Sequence, residues 1–248
     1  MTSHQMSVRA IGTFVLIALA YTAFSEITTA QGRQYALEAV TGLRLHNVTA
    51  QPATLAGKKG IRVTISDEGQ QRYQRMTPEE QAAFEQLAIV EGLEFGNGVI
   101  ELEIAGAPAP GAAAGARGFV GVAFRLQPDL KTYDAFYLRP TNGRADDQER
   151  RNHAVQYVSH PDWPWFRLRK ETPSKYESYV DLLPDTWTRV KIDVNGDRAR
   201  LYVHGQEQPT LIVNDVKTGA NAKGAIALWL GAGTIAHFRS LRVDPGVK

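Results

Sequence analysis

The chain predicts an all-β protein, an antiparallel sandwich of two sheets, from three observations. Apolar residues recur at every second position in many short runs, turn residues separate those runs, and no long helical period stands between them. Alternating strand–helix units need such helical stretches, so a parallel sheet is excluded.

The elements follow in chain order. Arg9 precedes an uncharged stretch from Ala10 to Ser25, apolar at its centre from Ile11 to Ala20, and small residues close it at Thr28-Thr29-Ala30. This is the layout of a secretory signal peptide over residues 1–30, with cleavage expected after Ala30. The apolar run is shorter than the roughly 20 residues of a membrane-spanning helix, so no span is expected in the exported chain, residues 31–248, read as one domain. Alternation then marks strands at Ile61–Ile65, Val99–Ile104, Val120–Leu126 and Val190–Val194. Shorter runs mark others at Ala135–Leu138, Ala154–Val158, Phe166–Leu168, Arg200–Val203, Leu211–Val213, Ile226–Leu230 and Phe238–Val243. Asn97-Gly98, Asn142-Gly143, Asn195-Gly196 and His204-Gly205 are the turns between them. One short helix is expected, with Thr77 as its cap, Pro78 at its first position and Glu79 and Glu80 complementing its dipole. The Gly/Ala/Pro stretch over 105–118 can bury no face and reads as a flexible loop.

Composition excludes several functions. With 28 Lys and Arg against 26 Asp and Glu, the net charge of +2 is too weak to draw the whole molecule onto nucleic acid. The absence of Cys removes disulfides, thiolate metal sites and a thiol nucleophile together. Gly231-Ala232-Gly233 matches a dinucleotide-binding spacing, but too little chain follows it to form the helix and second strand that motif needs. His153 and His160, seven apart on an extended chain, are expected on opposite faces and so cannot share a metal. Asp146, Asp147 and Glu149 could hold a structural calcium, yet they lack the calcium-loop pattern. No cofactor is therefore implied.

The chemistry-bearing residues gather on strands. In Val99–Ile104 the apolar residues Ile100, Leu102 and Ile104 alternate with Glu101 and Glu103, two carboxylates roughly 7 Å apart on one face. If later strands bring Arg125, Tyr137, Arg139 and Gln156 to the same face, that surface offers acceptors, fixed guanidinium donors and a phenol, which suit sugar hydroxyls. Trp163, Trp165, Arg167 and Tyr176 extend it, the indoles as stacking platforms flanking a proline, with Glu177 at the rim. An ordinary solvated sheet surface with cross-strand ion pairs explains the same residues without a ligand.

The succession F-G-N-G-V-I-E-L-E-I (95–104), G-F-V-G-V-A-F-R (118–125), F-Y-L-R-P (136–140), R-N-H-A-V-Q-Y (151–157) and W-T-R-V-K-I-D-V (187–194), followed by R-A-R-L-Y-V-H-G, G-A-I-A-L-W-L-G and F-R-S-L-R-V, resembles the concanavalin A-like lectin/glucanase superfamily. Within it the chain is similar to exported bacterial domains of the family 16 glycoside hydrolase-like and 3-keto-disaccharide hydrolase-like kinds. The resemblance implies a two-sheet jelly roll whose concave face binds carbohydrate, with Glu101, Arg125, Tyr137, Arg139 and Gln156 on or near that face. Family 16 enzymes carry Glu-x-Asp-x-x-Glu on one strand, whereas Glu101-x-Glu103 is followed by Ile104, Ala105 and Gly106. Two functions are therefore expected, a glycan-binding module or a glycoside hydrolase with Glu101 and Glu103 as its acids. Laminin-G-like protein adhesion ranks behind them, and the location implied is periplasmic or extracellular.

Overall fold

A computed structural model describes residues 1–2 and 32–246 of the chain. The leader expected over 1–30 thus lies, save for its first two positions, outside the described residues. Fifteen strands form two antiparallel sheets among the described residues. The first runs in the order β13 (Leu211–Val213), β12 (Arg198–Val203), β11 (Thr188–Asn195), β6 (Gly98–Pro108), β15 (Thr234–Pro245), β4 (Lys58–Ile65) and β3 (Val48–Leu55), with β1 (Arg33–Tyr35) also pairing β15. The second runs β10 (Glu177–Ser178), β9 (Val155–His160), β8 (Tyr133–Leu138), β7 (Val120–Leu126), β14 (Ala225–Leu230), β5 (Leu87–Val90) and β2 (Leu43–His46).

Period-two patterning decides what meets between the sheets. In the first sheet Ile100, Leu102 and Ile104 lie opposite Ile192, Val190 and Thr188, and Phe238 pairs with both Ile61 and Ile104. These side chains are buried, while the alternate residues of β11 and β12, and Val99, Glu101 and Glu103 of β6, are partly or fully exposed. The second sheet contributes Val122, Phe124, Phe136 and Leu228 to the same core, with Phe124 stacked on Phe136 at 6.2 Å between ring centroids. It differs from the first in one respect that matters for function. Strands β5, β7 and β8 are buried at every position, and β9 at all but its last. A strand buried on both faces needs a second cover, so this sheet's outward face lies under other segments.

Four short α-helices occur among the described residues, α1 (Asp67–Gln74), α2 (Pro78–Ala82), α3 (Gln148–Asn152) and α4 (Trp165–Glu171). Helix α2 is the expected one: the Thr77 hydroxyl accepts from Glu80 N, and Thr77 N donates to the Glu80 carboxylate. Helix α1 has the same kind of signal in Ser66, whose hydroxyl accepts from Gly69 N at 3.0 Å. Asp147 caps α3 by accepting from Arg150 N. Among the described residues no group of three His or acidic residues is arranged to hold a metal ion.

Three expectations are corrected. Phe166–Leu168, expected as a strand, lies in α4, because three alternating residues do not distinguish the two periods and only Leu168 of the helix is buried. The loop expected over 105–118 begins later, since Ala105, Gly106 and Ala107 still pair with His237, Ala236 and Ile235. Small side chains are needed there: a Cβ on Gly106 would come within 2.3 Å of Gly118 O and 2.8 Å of Val120 Cγ1. His153 and His160 are not on opposite faces, because His153 ends α3 rather than extending β9 and both imidazoles reach acids on one side of the sheet.

Candidate functional site

One cross-strand row organises the outward face of the second sheet. Direct register partners carry it from His46 through Leu87, Trp229, Gly121, Tyr137 and Gln156 to Glu177. Gly121 leaves the space through which Trp229 reaches across β7 and stacks on Tyr137, with centroids 4.9 Å apart and planes 29° from parallel. A Cβ at Gly121 would approach Phe136 O to 2.2 Å, so no side chain fits there.

Beside that platform lies a polar network. Arg139, two residues past Tyr137 and on the same side, donates to Tyr137 Oη at 2.9 Å, Gln156 Oε1 at 3.0 Å, His153 O at 2.9 Å and Glu177 Oε1 at 3.2 Å. Arg169 of α4 chelates the same Glu177 carboxylate through Nε and Nη2. Burial alone raises the Glu177 carboxyl, but the Arg169 bonds and the charges of Arg139, Arg169 and His153 hold it below the ordinary carboxylate range. His153 Nδ1 sits 3.0 Å from Glu177 Oε2 but without hydrogen-bond alignment, and burial lowers its pKa despite that neighbour.

On the same face Trp229 Nε1 donates to Tyr133 Oη at 3.1 Å, and Tyr133 in turn donates to Glu85 Oε2. Tyr133 stacks on its register partner His160 at 5.1 Å, and His160 Nδ1 lies 3.8 Å from Glu85 Oε1. No Lys or Arg lies within ion-pair distance of Glu85 among the described residues. Burial pushes the Glu85 carboxyl up to about 8 and the His160 imidazole down to about 4, so at neutral pH both are largely uncharged. Glu85 and His160 line a cleft of about 580 Å³. Its apolar wall includes Phe84, Pro161 and Phe166, the last 51% exposed, and its polar groups include Arg72, Asp129 and Lys131. Asp129, in contrast to Glu85, is held ionised by the backbone N–H groups of Lys131 and Thr132.

The structure thus brings together four of the expected binding residues, Tyr137, Arg139, Gln156 and Trp165, the last on α4 with its ring 4.8 Å beneath the Arg169 guanidinium. Others are placed elsewhere. Arg125 should face outward with Gly121 and Ala123, but a bulge shifts the β7–β14 register between Ala225 and Ala227, and Arg125 adopts φ +56°. Its guanidinium is therefore turned into a loop junction, bonded to Gly96 O, Gly196 O, Gly219 O and Asn97 Oδ1 and fully buried. Trp163 is held between cations, Arg167 at 3.9 Å and Lys217 at 4.6 Å from its ring, and Arg167 is further tied to Glu171 and Asp162 O. Tyr176 packs on Tyr157 and donates to Asp215.

Glu101 and Glu103 share one face, as alternation requires, but it is the outward face of the first sheet. Glu103 pairs with Lys58 at 2.9 Å and Arg239 at 3.3 Å, and Glu101 with Arg242 at 3.7 Å. The single surface expected to unite them with Tyr137 and Arg139 is thus divided between two sheets. Sequence reasoning missed Glu85, Tyr133 and Trp229. Trp229 carried a signal, since alternation with the buried Leu228 and Leu230 turns it outward. Glu85 carried none, because its burial depends on strands far away in sequence.

Comparison with known proteins bears on the fold. No protein-family model and no curated protein matches the chain. A Bacillus subtilis protein of unknown function with a galectin-like fold superposes with a TM-score of 0.50 at 13% identity, over 87% of this chain and 96% of that one. The carbohydrate-binding module CBM66 from Bacillus subtilis gives 0.48 at 12% identity over 80% and 95%. The Bacillus licheniformis β-glucanase gives 0.44 at 14% over 88% and 100%. The first of these likenesses shows a two-sheet sandwich with a galectin-like fold; it speaks to architecture alone.

Proposed function

We propose that the protein binds a glycan on the outward face of its second sheet, in the cleft lined by Glu85, His160 and Phe166. The observation that carries this reading is a buried Glu85 carboxyl, without a Lys or Arg in ion-pair distance among the described residues and so pushed up to about 8, at the wall of a 580 Å³ cleft that also presents Phe84 and Phe166. A protonated carboxyl both donates and accepts, as a sugar hydroxyl does, and exposed aromatic edges pack on the apolar side of a pyranose. The leader-like first thirty residues support an exported site of action, and no helix among the described residues is long and apolar enough to cross a membrane. Binding to a glycan array tests the reading: retention of at least one glycan is expected, with a loss of about tenfold or more in Glu85→Ala and in Phe166→Ala. No retention on any glycan, or retention that both variants keep in full, overturns it.

A second reading, glycoside hydrolysis, is favoured by one feature of the same cleft. Glu85 is kept protonated while Asp129 is kept ionised, and opposed protonation of two carboxyls is how such reactions divide acid from base or nucleophile. Here Glu85 delivers the proton to the leaving oxygen, in place of Glu101. Product release from the retained glycan decides between them: turnover abolished in Glu85→Gln with affinity kept makes the protein a hydrolase, and no product from the wild type leaves it a binding module.

A further inference from the structure

A second, smaller cavity lies beside the aromatic platform and is lined by a different set of groups. It measures about 260 Å³ and is lined by Arg117, Arg139, Arg150 and Arg169, with Trp165 and Phe119 as its aromatic walls. Phe119 packs edge-on against Tyr137, so the cavity is continuous with the outward row, and Trp165 is 44% exposed at its mouth. Four guanidiniums converge here, and Glu177 is the one carboxylate bonded to any of them among the described residues. That carboxylate is fully used by Arg139 and Arg169.

The guanidiniums of Arg117 and Arg150 have no carboxylate within 4 Å among the described residues, Asp147 accepting only from the Arg150 backbone N. Arg117 donates to Ala114 O and Ala116 O. Arg150 reaches Thr141 O at 3.5 Å and Asn142 Oδ1 at 3.4 Å through Nη2, and its buried Nε–H has no acceptor. Crowding cations in a partly buried space is unfavourable unless an anion completes it, and a buried donor left without an acceptor costs free energy that an oxyanion recovers. Burial and then the charges of Arg150 and Arg139 also depress the Arg117 pKa.

We infer that this cavity binds the anionic substituent of an acidic sugar, a uronate carboxylate, between Arg117 and Arg150, with the sugar ring against Trp165. The planar guanidinium fork matches a carboxylate in two hydrogen bonds, and the cavity is sized for one ring rather than a chain. The inference deepens the glycan-binding reading and rests on it for the sugar, while the cationic pair stands on its own geometry.

Calorimetric titration of the purified protein tests it with four probes: digalacturonate, the neutral galactobiose, a sulfated galactoside and inorganic sulfate. Digalacturonate is expected to bind at least tenfold more tightly than galactobiose, and to lose at least tenfold in Arg150→Gln and in Arg117→Gln while both variants melt as the wild type does. Tighter binding of the sulfated galactoside, lost in the same variants, keeps the anionic-sugar site and assigns its anion as a sulfate ester. Galactobiose bound as tightly as digalacturonate, with both variants silent, overturns the inference and leaves glycan binding standing. Sulfate bound as tightly as either anionic sugar means an adventitious ion only. Failure of all four probes, with a neutral glycan still retained on the array, overturns this site alone; failure of the array as well removes both readings.

Discussion

Arg125 and Glu85 are two buried ionisable groups whose surroundings give them opposite roles. Arg125 is satisfied on every side by carbonyls and an amide, so it serves the fold rather than a ligand. Arg125→Ala strands those carbonyls without donors and should cost roughly 3 kcal/mol or more in urea denaturation. Glycan affinity per folded molecule should be unchanged. Glu85 is left without a cation and keeps its proton, which ties stability to pH. Its folded pKa of about 8 exceeds the ordinary value of 4.5, so the folded state holds the extra proton and stability falls as pH rises through that window. The His160 pKa, lowered from 6.5 to about 4, acts oppositely, its contribution present above 6.5 and lost as pH falls. The two slopes offset one another at mildly acid pH, leaving Glu85 alone between about pH 6.5 and 8. Denaturation midpoints should therefore fall across that interval, by up to roughly 2 kcal/mol, and the decline should vanish in Glu85→Gln.

At the scale of elements, α4 is fastened to the second sheet by Arg169 and Glu177, and the same carboxylate balances Arg139 beneath it. Glu177→Gln leaves two guanidiniums with no counter-charge, a change of about 3 to 5 kcal/mol when such a pair is buried. Amide exchange over Trp165–Glu171 should accelerate more than in β11 or β6, and equal rates across the molecule would contradict this fastening. The same elements mark what could be read from sequence. Period-two patterning located core strands such as β6, β7 and β11 but not β5, and the Thr77, Pro78 and Glu80 signals located α2, because those features act within a few residues. Patterning also paired Tyr137 with Arg139 on one face and isolated Glu101 with Glu103. It could not tell which sheet each strand joins, and that allotment is what parts the glutamates from the arginines. Nor could it foresee the bulge that turns Arg125 away, since the extra residue is visible only in register with β14. Helix α4 was hidden for a related reason: Trp165–Glu171 has one buried residue and so no apolar stripe to read.

At the scale of the whole molecule the two sheets divide their labour. The first turns ion pairs such as Glu103–Lys58 and Glu101–Arg242 to solvent, and exposed pairs of this kind contribute about 0 to 1 kcal/mol. Glu101→Gln and Glu103→Gln should accordingly leave affinity, turnover and stability nearly unchanged, and loss of turnover in either would return catalysis to that face. The second sheet carries the covered outward face, with the Trp229–Tyr137 platform, the uncharged Glu85 cleft and the arginine cavity side by side. The four tryptophans of the chain report on these surfaces separately. Trp229 Nε1 donates to Tyr133 and Trp165 walls the arginine cavity, whereas Trp187 Nε1 donates to Leu55 O beside His237 of the first sheet. The direct test is to titrate the protein with a glycan retained on the array and follow the indole N–H resonances. The account predicts that Trp229 shifts with saturation while Trp187 does not move; a shift at Trp187 with Trp229 unmoved would contradict it.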